Sequence, residues 1–265
     1  ELGPVMPWPA PCIMPELFGG VLMVEGAIGL QWDRGTLIAH DLAATPPRRL
    51  WSVVLTDQPR GFEVDRQGDY LAVLIYGSQN PFRDVQVFVI ALSGEQAGTV
   101  IGNMTPTPYA IQAMRITADG TVYLVHDLGI EATLIRGRDD VEVPLPMPHD
   151  EPAYAIRVEG DRLYALGRDG PLKRLIRVFD IADPSRPRLV NLVPVPRWSR
   201  TMEIFDGVAY VNSDVVLAID VGAPPLAGRV IGVLHRPDAP WCQKECWRTM
   251  FKVGDQLMLH DTGSG

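Results

Sequence analysis

The sequence predicts an all-β protein, a β-propeller of four-stranded antiparallel blades. Two observations carry this prediction. An apolar strand, a Gly/Asp dipeptide and a second apolar strand recur six times, with the dipeptides 41 to 51 residues apart. Two further strand-like runs follow each of the first five hairpins, so a unit of about 45 residues contains four strands. A β-sandwich would also contain many short strands, but it would not place six hairpins in register.

The dipeptides mark the hairpin at which each predicted unit begins. Asp-Gly and Gly-Asp supply the positive φ angles that a tight antiparallel hairpin requires. In chain order the dipeptides are Gly19-Gly20, Gly68-Asp69, Asp119-Gly120, Gly160-Asp161, Asp206-Gly207 and Gly254-Asp255.

The predicted strands are short and nearly continuously apolar, as in Leu71–Tyr76. Such runs are typical of strands buried on both faces, so we expect neighbouring sheets to cover each sheet. Proline and glycine lie in the gaps, and no helical periodicity of useful length is present. The predicted outer strands are Leu37–Leu42 with Leu50–Leu55, Val85–Leu92 with Thr99–Ile101, Ala132–Ile135 with Val141–Val143, Leu175–Ile181 with Leu189–Val193, and Val215–Val221 with Arg229–Leu234.

Composition and charge narrow the class of protein. The chain has 265 residues, 46% of them apolar, which is enough for a large core. Its net charge is −8 and its 24 Lys and Arg residues are scattered, so we expect no nucleic-acid partner. No apolar run reaches the roughly 18 residues of a membrane span, so no transmembrane segment is predicted. The N-terminus lacks the basic and apolar regions of a secretion signal, and we expect any such signal to have been removed.

The sixth unit has its hairpin, Phe251–Leu259, but the sequence ends before its outer strands. Residues 1–14 form a proline-rich arm that is unsuited to supply them, because proline lacks the N–H group that a strand ladder requires. We therefore expect about five and a half blades within residues 15–265. Either residues outside this sequence complete the ring, which we favour, or the ring closes irregularly.

The run from Phe179 to Val190 resembles the LVIVD repeat. It reads Phe-Asp-Ile-Ala-Asp-Pro-Ser-Arg-Pro-Arg-Leu-Val, which is similar to the strand–turn–strand motif of that family. The resemblance is close over residues 174–193, looser at Tyr154–Tyr164 and Asp206–Val211, and weaker at Ala39–Arg48 and Ile219–Pro224. LVIVD-repeat proteins are propellers, commonly exported and commonly without an assigned activity. The resemblance implies this fold and a secreted, periplasmic or bacterial cell-surface location.

A meander places its loops at two ends. We name the end with the Gly/Asp hairpins the hairpin face, and the opposite end, with the loops between units, the loop face. Every unit begins on the loop face with a proline followed by an aromatic residue. One aromatic per repeat is typical of packing between blades. The alternative is a recognition surface around the channel mouth, since Trp and Tyr dominate binding hot spots. The candidate binding residues are Trp198, Trp241, Trp247, Tyr109, Tyr154 and Arg168.

Two His-Asp pairs, His126-Asp127 and His260-Asp261, are predicted at the same place in units three and six. Two histidines that face one axis would hold a metal ion or act as acid–base groups, with a carboxylate orienting the second ring nitrogen. Adjacent residues on a strand point to opposite faces, however, so each aspartate is poorly placed to orient its neighbour. Catalysis or metal binding at His126 and His260 is therefore the less favoured hypothesis.

Three cysteines are candidates for one disulfide. Cys12 precedes unit one, while Cys242 and Cys246 precede unit six. In an exported protein we expect either a Cys242–Cys246 bond or a bond from Cys12 to one of them. Two alternatives stay open, a zinc site formed by Cys242, Cys246, His235 and His260, and a thiol that pairs with a partner chain.

Three functions fit the sequence. The favoured one is an exported, non-catalytic module whose loop face binds a protein or glycan partner, or packs as a subunit of a surface assembly. The second is an enzyme or metal-binding protein with its site at the channel mouth around His126 and His260. The third is a structural repeat that mainly self-associates. The sequence contains no nucleophile elbow, phosphate loop, dinucleotide fingerprint or zincin motif, so we expect no cofactor and disfavour catalysis.

Overall fold

A computed structural model describes most of the chain between residues 20 and 261. The described residues are 20–25, 28–56, 61–76, 85–106, 111–126, 129–134, 143–145, 153–169, 173–183, 186–199, 201–213, 215–222, 228–234, 247–253 and 256–261. Within them the regular structure is β-strand, and none of these segments forms a helix with the length and apolarity of a membrane span.

Within these described residues, the strands form five four-stranded antiparallel sheets and one two-stranded hairpin. In each four-stranded sheet the strands are hydrogen-bonded in chain order, which makes the sheet a meander. The prediction of an all-β chain built from four-stranded units is therefore confirmed. Within each sheet, the first and third connections lie on the hairpin face, and the second connection lies on the loop face.

The first three sheets contain β1 to β12. Sheet one is β1 (Gly20–Glu25), β2 (Ile28–Asp33), β3 (Thr36–Asp41) and β4 (Arg48–Val54). Sheet two is β5 (Gly61–Gln67), β6 (Tyr70–Tyr76), β7 (Val85–Ala91) and β8 (Val100–Met104). Sheet three is β9 (Ile111–Ile116), β10 (Thr121–His126), β11 (Gly129–Leu134) and β12 (Val143–Leu145).

The remaining sheets contain β13 to β22. Sheet four is β13 (Ala153–Glu159), β14 (Arg162–Asp169), β15 (Lys173–Asp180) and β16 (Arg188–Val195). Sheet five is β17 (Thr201–Phe205), β18 (Val208–Asn212), β19 (Val216–Asp220) and β20 (Arg229–Leu234). The two-stranded hairpin is β21 (Trp247–Val253) with β22 (Gln256–Asp261).

The chain divides into two compact units. One contains sheets one to three, and the other contains nearly all of sheets four and five together with the two-stranded hairpin. Each unit has hydrophobic clusters between consecutive sheets. Two clusters flank sheet two in the first unit, and one lies between sheets four and five in the second.

Sheet two is buried on both faces, as the apolar runs predict. Along β6, Leu71, Val73 and Ile75 belong to the cluster shared with sheet one. The alternate residues Ala72 and Leu74 belong to the cluster shared with sheet three. Because successive strand residues point to opposite faces, a continuous apolar run is what a strand between two neighbouring sheets requires.

The hairpin turns follow from their dipeptides. Asp206 and Gly207 have φ angles of 48° and 72°, and two positive angles at the central positions are the mark of a type I′ turn. Gly68 and Gly160 have φ angles of 56° and 54° at the first central position of their hairpins, as a type II′ turn requires. Gly120, with φ 87°, ends a three-residue loop, where one left-handed residue is expected.

Sheet one differs from the prediction for the first repeat. Gly20 begins β1 instead of forming a hairpin, and β1 turns back after Glu25, whose partner across the sheet is Ile28. The predicted second strand is therefore the first strand of the sheet, and the strand Ile28–Asp33 was missed. Gly29 and the polar Gln31 interrupt its apolar pattern, so local sequence does not mark it as a strand.

Sheets two and three meet along their first strands, and so do sheets four and five. In the first unit, Asp65 on β5 accepts a hydrogen bond from the backbone N–H of Ile116 at the end of β9, at 2.7 Å, and its other carboxylate oxygen lies 3.9 Å from Arg115 Nε. In the second unit, Arg157 on β13 forms a two-pronged ion pair with Glu203 on β17, with one contact at 2.7 Å.

The neighbouring first strands run in the same sense. Counted from the hairpin turns, Arg157 and Glu203 are equivalent residues of sheets four and five. Two residues further along β13, Glu159 accepts hydrogen bonds from the turn N–H groups of Asp206, at 2.7 Å, and Gly207, at 3.0 Å. Contacts between equivalent positions at two levels require strands that lie side by side in parallel, so the loop faces of sheets four and five lie at the same end.

Candidate functional site

Three of the predicted binding residues, Tyr154, Arg168 and Trp198, have described side chains, and all three belong to the loop face of sheets four and five. Tyr109, Trp241, Cys12, Cys242 and Cys246 lie outside the described residues, so their predicted roles stay predictions. Only the backbone of Trp247 is described, at the first position of β21.

Tyr154 lies against two arginines of its own sheet. The guanidinium carbon of Arg174 is 4.6 Å from the centre of the Tyr154 ring, and that of Arg168 is 5.7 Å from it. Both distances are within the range of cation–π attraction. Arg168 and Arg174 are direct partners across β14 and β15, so the two positive charges are held together at the loop-face end of the sheet.

Arg177 holds this end of the sheet in place. Its side chain is only 4% exposed, and Nη2 donates a 2.7 Å hydrogen bond to the backbone carbonyl of Arg168. Burial lowers the pKa of Arg177 below its ordinary value, because removal from water disfavours the charged form. Arg177 therefore positions the backbone of Arg168.

Sequence reasoning identified Tyr154 and Arg168 but missed Arg174 and Arg177. A signal for Arg174 is present in the sequence. Arg168 and Arg174 stand at equal distances from Pro171, the centre of the connection between two predicted strands. Residues placed symmetrically about an antiparallel connection are cross-strand partners. The role of Arg177 required the structure, because it depends on a contact with a backbone carbonyl.

Trp198 is the most exposed of the described aromatic candidates. Its side chain is 57% exposed, and the guanidinium carbon of Arg197 lies 4.8 Å from its ring centre. Beside it, the buried hydroxyls of Ser199 and Thr201 have no hydrogen-bond partner among the described residues. Buried polar groups are nearly always satisfied by protein or water, so unsatisfied ones in a native structure point to a water or a ligand.

Phe62 is the aromatic residue that follows a proline at the start of the second repeat, and it packs between sheets as the first interpretation predicts. Its ring stacks on that of Trp32 in sheet one, with centroids 4.4 Å apart and planes at 28°. The aromatic residue that follows the proline is therefore packed in one repeat and exposed in another. In sheet two it wedges neighbouring sheets together, and in sheet five it is a tryptophan exposed to solvent.

His126 ends β10, whereas His260 lies one residue before the end of β22, so the two histidines are not at equivalent positions of their strands. His126 is the sixth residue of β10, and His260 is the fifth residue of β22. Their side chains lie outside the described ones. Among the side chains that are described, no group of three or more His, Cys, Asp or Glu residues could hold a metal ion. The metal or acid–base role of His126 and His260 stays a prediction.

A polar cluster in sheet two was not predicted. Tyr76 donates a 3.1 Å hydrogen bond to the half-buried Glu63, and Asp65 follows two residues later on β5. The spacing Glu63-Val64-Asp65 is the sequence signal, since alternate residues share one face of a strand. Burial raises the pKa of Glu63, an effect that outweighs the hydrogen bond from Tyr76 and the charge of Arg115. Burial likewise raises the pKa of Tyr76.

The raised pKa of Glu63 predicts a pH-dependent effect of Glu63→Gln. Because the pKa is higher in the folded protein than in the unfolded chain, the contribution of Glu63 is fully present below the unfolded pKa and is lost as pH rises through the folded pKa. Glutamine stays neutral and still accepts the hydrogen bond from Tyr76. We therefore expect the urea midpoint of Glu63→Gln, relative to wild type, to rise between pH 4 and pH 7. Glu95→Gln, at an exposed position, controls for the loss of one negative charge, and a relative midpoint that falls over this range would contradict the assignment.

Comparisons with known proteins show a similarity of fold alone. No protein-family model and no curated protein matches this sequence. Apo AztD from Citrobacter koseri is similar in structure over 92% of this chain, at 16% identity and a TM-score of 0.53, and a second AztD structure from that organism is similar at 15% identity and a TM-score of 0.51. A functionally unknown protein from Desulfotomaculum acetoxidans DSM 771 is similar over 78% of this chain and 66% of its own, at 12% identity and a TM-score of 0.55. The chain spans 65% of the length of each AztD structure, which is less than two thirds.

Proposed function

We propose that this chain is part of an exported, non-catalytic β-propeller that acts as a binding or assembly module through its loop face. The propeller is supported by the parallel first strands of sheets four and five and by the burial of sheet two on both faces. Blades that radiate from one axis require both features. The resemblance of residues 174–193 to the LVIVD repeat supports the same fold and an exported location.

The observation that carries the binding function is the exposed Trp198 with Arg197 against its ring. A large aromatic side chain at 57% exposure leaves apolar area in water, and Trp and Arg are the residues most enriched in binding hot spots. The Arg197 guanidinium donates hydrogen bonds and the Trp198 ring offers an aromatic face, and both suit recognition of a partner.

The outer strands support an assembly role. Seven of the nine exposed large apolar side chains among the described residues lie on the last strand of sheets one, four and five. They are Leu50, Val54, Val190, Leu192, Val230, Ile231 and Val233. Last strands of a meander have an unpaired edge, and apolar edges favour contacts with other chains. Packing as a subunit through these strands would leave the loop face free for a partner.

Trp198→Ala tests the binding function. We expect the variant to fold with unchanged stability, because the side chain is largely exposed, and to lose at least about tenfold in partner affinity, as hot-spot tryptophans do. Immobilised wild-type and variant chains would be compared for capture of proteins from an extract of the source cells and for binding to a glycan array. Asp161→Ala, an exposed change on the hairpin face of sheet four, is the matched control.

The test is decided by the amount of a partner that each variant retains relative to wild type, and not by capture with wild type alone. A protein or glycan retained by wild type and Asp161→Ala, but tenfold less by Trp198→Ala, supports the proposal. Equal retention by all three chains contradicts it.

A further inference from the structure

We propose that Asp206-Gly207, the turn between β17 and β18 of sheet five, is a site of aspartate isomerisation that Glu159 of sheet four holds in check. The product is an isoaspartate at position 206, in which the backbone continues through the side-chain carboxyl group. The site lies on the hairpin face and does not depend on the function proposed for Trp198.

The reaction needs only the chain itself and water. The amide nitrogen of Gly207 attacks Cγ of Asp206, a C–N bond forms, and one oxygen of the protonated carboxyl group leaves as water together with the amide proton. Water then cleaves the bond between the Asp206 α-carbonyl and that nitrogen. The water released in the first step is taken up in the second, and nothing is oxidised or reduced. Glycine favours the attack because it has no Cβ atom to shield its nitrogen.

Glu159 holds the attacking nitrogen. Its carboxylate accepts hydrogen bonds from the backbone N–H groups of Gly207, at 3.0 Å, and Asp206, at 2.7 Å. Hydrogen bonds to a charged group are stronger than neutral ones, and these two fix the peptide planes on both sides of Asp206. Asp206 is exposed, and no hydrogen bond from another described residue restrains its carboxylate. The turn therefore has an unrestrained carboxyl group and a nitrogen that is held from another sheet.

Of the two other Asp-Gly pairs in the chain, Asp169-Gly170 extends outside the described residues, and Asp119-Gly120 is held within its own hairpin. The N–H of Gly120 donates to the carbonyl of Thr117 at 3.0 Å. One oxygen of the Asp119 carboxylate accepts from the Thr117 hydroxyl and the Thr121 N–H, and the other accepts from the Thr121 hydroxyl. Both reacting groups are thus fixed by neighbours in sequence, and separating two sheets would not release them.

Opening of sheet four away from sheet five is therefore the motion that exposes Asp206-Gly207 to reaction. Native proteins open locally at a lower free energy than they unfold globally. An isoaspartate that forms at position 206, but not at position 119, would be a covalent record of this opening.

The experiment compares wild type with Glu159→Ala during long incubation of the 265-residue chain at neutral pH, below the melting temperature of both. Isoaspartate is quantified at each position by peptide mapping with electron-transfer fragmentation, which distinguishes it from aspartate. We expect isoaspartate at position 206 to form at least about tenfold faster in Glu159→Ala, the factor that one lost hydrogen bond to a charged group corresponds to. The rate at position 119 should be unchanged.

Two further variants keep the test decisive. Gly35→Ala lowers stability from sheet one, because a Cβ atom there overlaps the backbone of Thr56, and it leaves Glu159 in place. The rate at Asp206 should stay close to that of wild type in this variant. Glu159→Gln keeps one acceptor oxygen, so we expect a smaller increase of about threefold. This variant decides the test if Glu159→Ala does not fold.

Every outcome supports or overturns the proposal. A faster reaction confined to Asp206 and to the Glu159 variants supports it. Equal rates at Asp206 in wild type and the Glu159 variants overturn it. An equal increase at Asp119, or an equal increase in Gly35→Ala, also overturns it, because either result would show reaction from the unfolded chain. A slower reaction in Glu159→Ala would mean that the carboxylate promotes the attack, which is the opposite of the proposed role.

Discussion

Replacing Gly35 by alanine is expected to lower the free energy of unfolding by about 3 kcal/mol or more, from the combined costs of a left-handed backbone and a steric overlap. Gly35 has φ +85° in the turn between β2 and β3, and a Cβ atom there would overlap the backbone carbonyl of Thr56, just beyond β4. The Gly35 carbonyl also accepts hydrogen bonds from Leu55, at 2.9 Å, and Thr56, at 3.3 Å. The backbone of residue 35 fixes the position of its Cβ atom, and the overlapped atoms belong to the backbone of Thr56, so no side-chain rotation relieves the overlap.

Gly68→Ala is the matched control. Gly68 also has a left-handed backbone, φ +56°, but a Cβ atom there meets nothing within 4 Å. We expect this change to cost about 1 kcal/mol, the conformational part alone. The measurement is urea unfolding followed by circular dichroism, with amide exchange of Leu55 as the local readout. Equal destabilisation by the two variants would mean that the end of β4 yields to the extra methyl group.

Breaking the ion pair between sheets four and five is the second large effect. Arg157 donates to both carboxylate oxygens of Glu203, and the side chains are only 21% and 12% exposed. Arg157 also donates to the carbonyl of Ile156 at 2.8 Å. Arg157→Met and Glu203→Met should each cost about 2–3 kcal/mol, because each leaves a half-buried charge without its partner.

The double variant, Arg157→Met with Glu203→Met, separates the energy of the ion pair from the cost of leaving one charge unpaired. With both charges replaced by methionine, no unpaired charge remains, and the total loss should be clearly smaller than the sum of the single losses. Arg48→Met is the control at an exposed pair, where Arg48 is 73% exposed and 3.8 Å from Asp41, and it should cost less than about 0.5 kcal/mol. Additive losses at Arg157 and Glu203 would show that the two residues stabilise their sheets independently.

The hairpins were predictable because their chemistry is local. A positive φ at Gly68, Gly160 or the Asp206-Gly207 pair is a property of the dipeptide itself, so the sequence marks the turn without reference to other strands. The first sheet was predicted in the wrong register because Gly19-Gly20 carries the same local signal. The strand that the prediction missed, Ile28–Asp33, is identified by its partners β1 and β3.

The candidate site was predictable only in part. Tyr154, Trp198 and Phe62 all follow a proline at the start of a repeat, and the sequence treats them alike. The structure separates them. Phe62 packs on Trp32, Tyr154 lies against two arginines, and Trp198 is exposed.

Local chemistry was therefore sufficient for the strand periodicity, the turn types and the four-stranded unit, since each depends on residues within one repeat. The meeting of Arg168 with Arg174, the pairing of Arg157 with Glu203 and the exposure of Trp198 emerged only from the folded chain. These features depend on which residues of other strands and sheets stand opposite, and burial and cross-strand distance are properties of that packing rather than of any one segment.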